Sequence, residues 1–185
     1  MPNITAAADI IRSAQKGDAD SIGLLFRRHH ASVFRYLYYR VGDRETAEDL
    51  TSEVFLRMVR SLVDYVDHGV SFQAWLFRIA SNLAVDHFRK ANAKPEIELW
   101  ESVPASDAEP AAAAEHSLTS ESLRGALAKL AADQRDVVVM RFVVDMPIAE
   151  VAQALNRSED AIKGLQRRGL MALRAILTSS EAPYV

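Results

Sequence analysis

Cysteine is absent from the 185 residues, which excludes disulfides and thiolate metal sites and suits a reducing compartment. Glycine and proline are scarce, at seven and six residues, so little interrupts helical periodicity. No apolar run approaches the roughly 20 residues that cross a bilayer as a helix. No basic stretch leads into an apolar run near the start, so no signal peptide is evident. A glycine-rich phosphate loop is also missing. His29 and His30 are adjacent in a helical stretch and point about 100° apart, while His68, His87 and His116 are scattered. Paired acids such as Glu48-Asp49 have no nucleophile or metal motif beside them. These absences predict a soluble cytoplasmic protein with no membrane insertion, no cofactor, no metal site and no catalytic residues.

What is present is apolar and unevenly charged. Hydrophobic residues make up 49% of the chain, enough for real cores, and the net charge is −3. Residues 1–90 carry 12 basic and 11 acidic side chains, residues 91–123 carry 1 and 7, and residues 124–185 carry 9 and 7. The acidity is therefore concentrated in one segment. Arg157–Arg174 holds five basic and two acidic residues. Attraction to phosphate acts over a Debye length of about 10 Å, so local sign outweighs the total.

The periodicity is helical almost throughout. It predicts helices over about Ala7–Lys16, Ala19–Val41, Arg44–Tyr65 and Phe72–Ala91, with Gly17 and Gly42 as stops and Asp43 and Ser71 as caps. Residues 92–117 differ in kind, with Pro95, Pro104, Pro110 and the run Ala111–Ala114. They read as an acidic, self-repelling linker. Helices follow over about Thr119–Ala131, Gln134–Val143, Pro147–Leu155 and Ser158–Leu177. The fold class is all-α, with two small helical domains, 1–91 and 118–185, joined by the linker 92–117.

The last two helices form a helix-turn-helix pattern. Pro147 fits a first turn, Asn156 a left-handed cap, and Ser158 an N-cap with Glu159 and Asp160 behind it. Ile162, Leu165, Gly169, Leu173 and Ile176 fall on one face, and Lys163, Gln166, Arg167 and Arg174 lie off it. Such a helix can enter a major groove, although two short amphipathic helices with a tight turn also occur in bundles that bind no DNA.

Three stretches resemble bacterial sigma factors of the extracytoplasmic-function group: Ala47–Phe55, Phe72–Lys90, and Leu127–Phe142 with the helix-turn-helix after it. The resemblance covers roughly 18–91 and 120–177, in the family's order and spacing. It implies a region 2-like bundle that binds core RNA polymerase and opens DNA at the −10 element, and a region 4-like helix-turn-helix that reads the −35 element. The partners it implies are core polymerase (the β′ clamp and β subunits), promoter DNA and an anti-sigma factor. By periodicity alone, Asp49, Glu53, Arg57 and Arg60 form a charged face beside the inward stripe Ala47, Leu50, Val54, Met58 and Leu62. The resemblance makes that face, with Leu50 and Phe55, the polymerase-binding surface. It places Asp67, His68 and Ser71 in a loop that captures a flipped base. Arg78, Asn82, Asp86 and Arg89 share a second face of the fourth helix, which the resemblance makes, with Lys90, the −10-reading surface. Ser158, Lys163, Gln166, Arg167 and Arg168 are the −35 candidates. Leu165 stands where many members have arginine and Gln166 where many have an apolar residue, so the target sequence is not carried over. The linker reads either as a spacer or as a negative strand threading a positive channel of the polymerase, with Trp100 an unusual residue within it. A dimeric helix-turn-helix regulator is the alternative, but it leaves the first 90 residues without a role. An all-helical adaptor would need neither basic face.

Overall fold

The computed structural model describes residues 4–67, 69–93 and 121–180, and every regular element among them is helical. The linker residues 94–117, Trp100 among them, and His68 lie outside the described residues. Helix α1 spans Ile4–Gln15, α2 Ala19–Val41, α3 Arg44–Ser61, and α4 Phe72–Ala93, with a 3-10 turn Leu62–Asp64 after α3. After the linker come α5, described over 121–128, then α6 Ala132–Val138, which continues as a π-turn Val139–Val143, then α7 Ile148–Leu155 and α8 Glu159–Ser180.

The helix ends are where the short polar residues place them. Asp18 accepts the Ser21 N–H at 2.9 Å and Asp43 the Thr46 N–H at 2.7 Å; both bonds hold these carboxyls below the usual carboxylate range. Ser71 Oγ accepts from Ala74 N at 3.1 Å and Ser158 Oγ from Ala161 N at 3.2 Å, each satisfying an orphan first-turn donor. Gly42 closes α2 at φ 85°, and Asn156 closes α7 at φ 51°, a conformation asparagine tolerates better than most residues. Pro147 stands at the N-cap of α7 rather than inside its first turn. The third helix ends four residues earlier than its periodicity predicts, because Leu62–Asp64 tightens into the 3-10 turn.

Apolar stripes on α2, α3 and α4 build the first core. Val33, Leu37, Ala47, Val54, Leu76 and Phe77 are each fully buried, and each large one contributes about 1.5–3 kcal/mol relative to exposure. Phe77 packs edge-on against Tyr36 of α2 at 5.6 Å. In the second half, Val137, Val139, Met140, Val151 and Ile162 are fully buried between α6, α7 and α8. The two halves are not separate bodies on a string: α7 packs along α4, and the π-turn packs on α2.

Candidate functional site

On α3 the charged face is where its spacing puts it. Asp49 is exposed, and Glu53 accepts from Arg57 Nε at 2.8 Å, a bond that lowers the Glu53 carboxyl. Phe55 requires a correction. It is only 6% exposed and stands edge-on to Phe26 at 4.7 Å, so it joins α2 to α3 instead of facing a partner. Leu50 is half-buried. The apolar side chains this face does present are Leu56, Val59 and Val63. They follow at spacings of three and four, alongside Arg57 and Arg60, and make an amphipathic strip with acid at one end and base at the other.

The face of α4 is less open than its periodicity suggests. Arg78 is half-buried, and its guanidinium donates to the Gln153 carbonyl of α7. Its Nε is buried without a partner. Asn82, Arg89 and Lys90 are exposed, and Arg89 pairs with Asp86 at 3.0 Å. In the preceding loop Asp67 accepts the Gly69 N–H at 3.1 Å, a local turn bond, and Tyr65 donates to the Val70 carbonyl at 2.9 Å. Trp75 is half-buried against Tyr65 and Phe72, with ring centroids at 4.9 and 5.5 Å. Ser71 combines two tasks: its hydroxyl caps α4, and its N–H donates to Gln153 Oε1 at 3.2 Å.

On α8, Lys163, Arg167 and Arg168 are exposed. Lys163 Nζ pairs with Asp160 at 3.2 Å. Gln166 is half-buried and accepts from Arg141 Nε at 3.3 Å, while a second Arg141 nitrogen donates to the Met146 carbonyl. Arg141 thus ties the π-turn to the start of α7 and the middle of α8. Among the described residues, no group of three His, Asp or Glu side chains could hold a metal ion, and no helix is long and apolar enough to cross a membrane.

Two family models match this chain in order: Sigma-70 region 2 over residues 25–94 and Sigma-70 region 4 over residues 126–175. ECF RNA polymerase sigma factor SigX of Bacillus subtilis is 32% identical over 162 residues, covering 84% of this chain and 82% of SigX. The chain belongs to the ECF RNA polymerase sigma factors. ECF sigma factor BldN of Streptomyces coelicolor is 38% identical over 171 residues, 91% of this chain and 65% of BldN, so the chain spans just under two thirds of that relative. The fold recurs in CnrH, solved in complex with the cytosolic domain of CnrY, at a TM-score of 0.72 and 24% identity over 94% of this chain and 97% of that one. It recurs again in the sigma factor RpoE of Bartonella quintana, solved with the anti-sigma factor NepR, at 0.72 and 20% over 84% and 96%.

In this sigma factor, region 2 takes in α2 to α4 and region 4 takes in α6 to α8. Reasoning from the sequence missed the residues that join the two regions. Asp136 of α6 accepts from Arg40 Nε at 2.6 Å and from Tyr36 OH at 2.8 Å, and all three side chains are buried. Arg40 also lies over the Phe88 ring at 4.8 Å. Arg135 donates to the Arg40 carbonyl at 3.0 Å, and Arg124 to Tyr38 OH and the Gly42 carbonyl at 3.0 and 3.1 Å. Burial pushes the Asp136 carboxyl up, against the pull of Arg40 and Tyr36, and burial first, then Asp136, pushes the Tyr36 hydroxyl up as well. One signal was available: Arg40 stands on the inward stripe of α2 with Val33, Tyr36 and Leu37, and a cation there requires a buried acceptor.

Proposed function

We propose that this chain binds core RNA polymerase through the exposed face of α3 and directs it to promoters in the cytoplasm, performing no chemistry itself. In this reading Asp49, Glu53, Arg57 and Arg60 set register and on-rate on the β′ clamp, and Leu56, Val59 and Val63 supply apolar contact. The −10 element falls to the loop around Asp67 and Ser71 and to Arg78, Asn82, Asp86, Arg89 and Lys90 of α4. The −35 element falls to α8, where Lys163, Arg167 and Arg168 face outward, while Gln166 is held back by Arg141. An anti-sigma partner would act by covering the α3 face. The observation that carries the proposal is the pair of region 2 and region 4 matches in order on one chain, with an exposed basic side on α8. Run-off transcription with core polymerase tests it. Specific initiation is expected with the full chain, and a loss of at least about tenfold with Asp49→Lys/Glu53→Lys, since charged contacts opposite a complementary surface are worth 1.4 kcal/mol or more when reversed. Sequence-specific duplex binding without any initiation would overturn it.

A further inference from the structure

Helix α1 lies outside the stretch that matches Sigma-70 region 2, residues 25–94, yet it is tied to the loop before α4. Ala7, Ile10, Ile11 and Ala14 recur at helical spacing; Ala14 is buried, and Ile10 and Ile11 pack on the same core. The helix stops at Gly17, φ 87°, where the Asp18 N–H returns to the Ser13 carbonyl at 3.2 Å. Gln15 stands in that last turn, four residues after Ile11, so it shares the packed face. Its Nε2 donates twice, to the Leu62 carbonyl at 3.0 Å and to the Tyr65 carbonyl at 2.6 Å. Both partners only accept, so one orientation of the amide fits and both of its N–H groups are committed. These carbonyls follow the end of α3, where the helix no longer supplies donors. Tyr65 carries the tie onward. Its ring is buried against Phe72 and Trp75, with centroids at 5.6 and 4.9 Å, and its hydroxyl donates to the Val70 carbonyl at 2.9 Å. The loop is therefore pinned at its entry by Gln15 and across its base by the Tyr65 hydroxyl, while Val66 and Asp67 remain exposed.

We propose that Gln15 and Tyr65 are positioning residues for −10 recognition: together they hold the loop from Tyr65 to Ser71 in the shape that receives an unpaired base, before DNA arrives. The proposal rests on the sigma factor reading and deepens its −10 assignment. Taking a base out of the stack already costs unstacking energy. A loop that also had to be ordered on binding would subtract that ordering from the affinity. A loop held in place discriminates as well, because a wrong base meets fixed groups instead of ones that adapt to it. The bonds themselves go beyond packing. An apolar side chain at position 15 would fill the same space, but Gln15 directs both donors at main-chain carbonyls on either side of the 3-10 turn and so fixes the direction in which the chain leaves it. The Tyr65 ring alone would fill its place in the core, but the hydroxyl closes the loop on Val70. Gln15, Leu62, Tyr65 and Val70 all belong to the first half of the chain, so no pin depends on a residue of the second half.

Two nearly isosteric changes test it. Tyr65→Phe keeps the ring and removes the hydroxyl, and Gln15→Met keeps the length and removes both donors. Gln15→Lys restores donors. Core RNA polymerase carrying each full chain selects from a pool of promoter DNA whose −10 strand is held unpaired and randomised. With the unsubstituted chain, one position should show a base preference that Asp67→Ala removes. Gln15→Met and Tyr65→Phe should each weaken the preference at that position about fivefold, the scale of losing one or two hydrogen bonds. Preferences at the other positions and affinity for core polymerase should stay as they were, and Gln15→Lys should recover most of the loss. No position sensitive to Asp67→Ala, or a preference kept in both variants, would overturn the proposal. So would an equal loss at every position, which would make the two residues purely structural. If the unsubstituted chain retains no DNA on the polymerase, the sigma factor reading fails instead, and amide hydrogen exchange in the free chain still decides the pins. The Tyr65 and Gly69 amides should then exchange about fivefold faster in Gln15→Met, and unchanged exchange would show that Gln15 does not hold the loop.

Discussion

Two glycines in α8 should respond to the same substitution with opposite sign. In a helix interior Gly→Ala stabilises by about 0.8–1 kcal/mol, mostly by removing backbone freedom from the unfolded chain. At Gly164 an added Cβ would meet only the guanidinium of Arg168, at 3.4 Å. Arg168 is exposed, and the far end of a long side chain can swing away. Gly164→Ala should therefore keep most of the gain, about +0.5 to +1 kcal/mol. At Gly169 the added Cβ would lie 2.8 Å from Val138 Cγ2 and 3.4 Å from both Cβ and the carbonyl oxygen of Gln134. Val138 is 3% exposed and stiff at χ1, so α6 and α8 must separate. Overpacking of this kind costs about 1–3 kcal/mol, which outweighs the propensity gain and leaves Gly169→Ala roughly 0.5–2 kcal/mol less stable than the parent. The two variants should differ by about 2 kcal/mol, or 4–8 °C in Tm for a chain of this size. Urea unfolding of the full chain reads the difference. Val138→Ala should suppress the cost of Gly169→Ala non-additively, because it removes the atom in collision. A Gly169→Ala chain as stable as the parent would refute the close approach of α6 and α8 as the reason for that glycine.

Two further outcomes follow from burial and from charge. His29 is 9% exposed beside Phe72, and burial, with Arg28 adding repulsion, lowers its pKa from 6.5 to about 4. The folded state disfavours the charged imidazole, so its contribution is complete above pH 6.5 and is lost as pH falls toward 4, to a total of about 3 kcal/mol. His29→Leu should remove that part of the acid sensitivity; a stability difference between parent and variant that stays constant from pH 7 to 4 would contradict it. On α8, Lys163→Ala and Arg167→Ala should each weaken duplex binding and reduce the slope of log K against log salt by about 1, measured by fluorescence anisotropy from 50 to 200 mM salt. An unchanged slope would remove that residue from the phosphate contacts.

Local features were legible in the sequence because they follow from local chemistry. Asp43, Ser71 and Ser158 cap helices because a short side chain can reach a first-turn N–H, and Asn156 closes α7 because it tolerates positive φ. The inward stripe Ala47, Val54, Met58 and Leu62 follows from a period of 3.6. What escaped were choices settled by a third element. Phe55 sits on the outer edge of the α3 stripe, and only the presence of Phe26 on α2 turns it inward. Gln166 looks like a free base reader until Arg141, 25 residues away, engages it. The contact of Gln153 with the loop 69–71 joins residues more than 80 positions apart, across a linker that carries no pattern linking the two halves.

The chemistry of the joint between the regions bears on why it takes this form. A buried ion pair is a weak source of stability, because lost hydration offsets much of the attraction. The raised Asp136 pKa, with burial as its largest cause, has the sign expected when lost hydration outweighs the pull of Arg40 and Tyr36. Such a pair is demanding about geometry: Arg40 and Tyr36 meet the Asp136 carboxylate only in one register of α6 on α2. Removing one partner alone is the costly case, since it strands a buried charge. Arg40→Met should therefore destabilise the folded chain more than Arg40→Met/Asp136→Leu, and that ordering, read by urea unfolding, distinguishes a pair that sets register from one that merely adds stability.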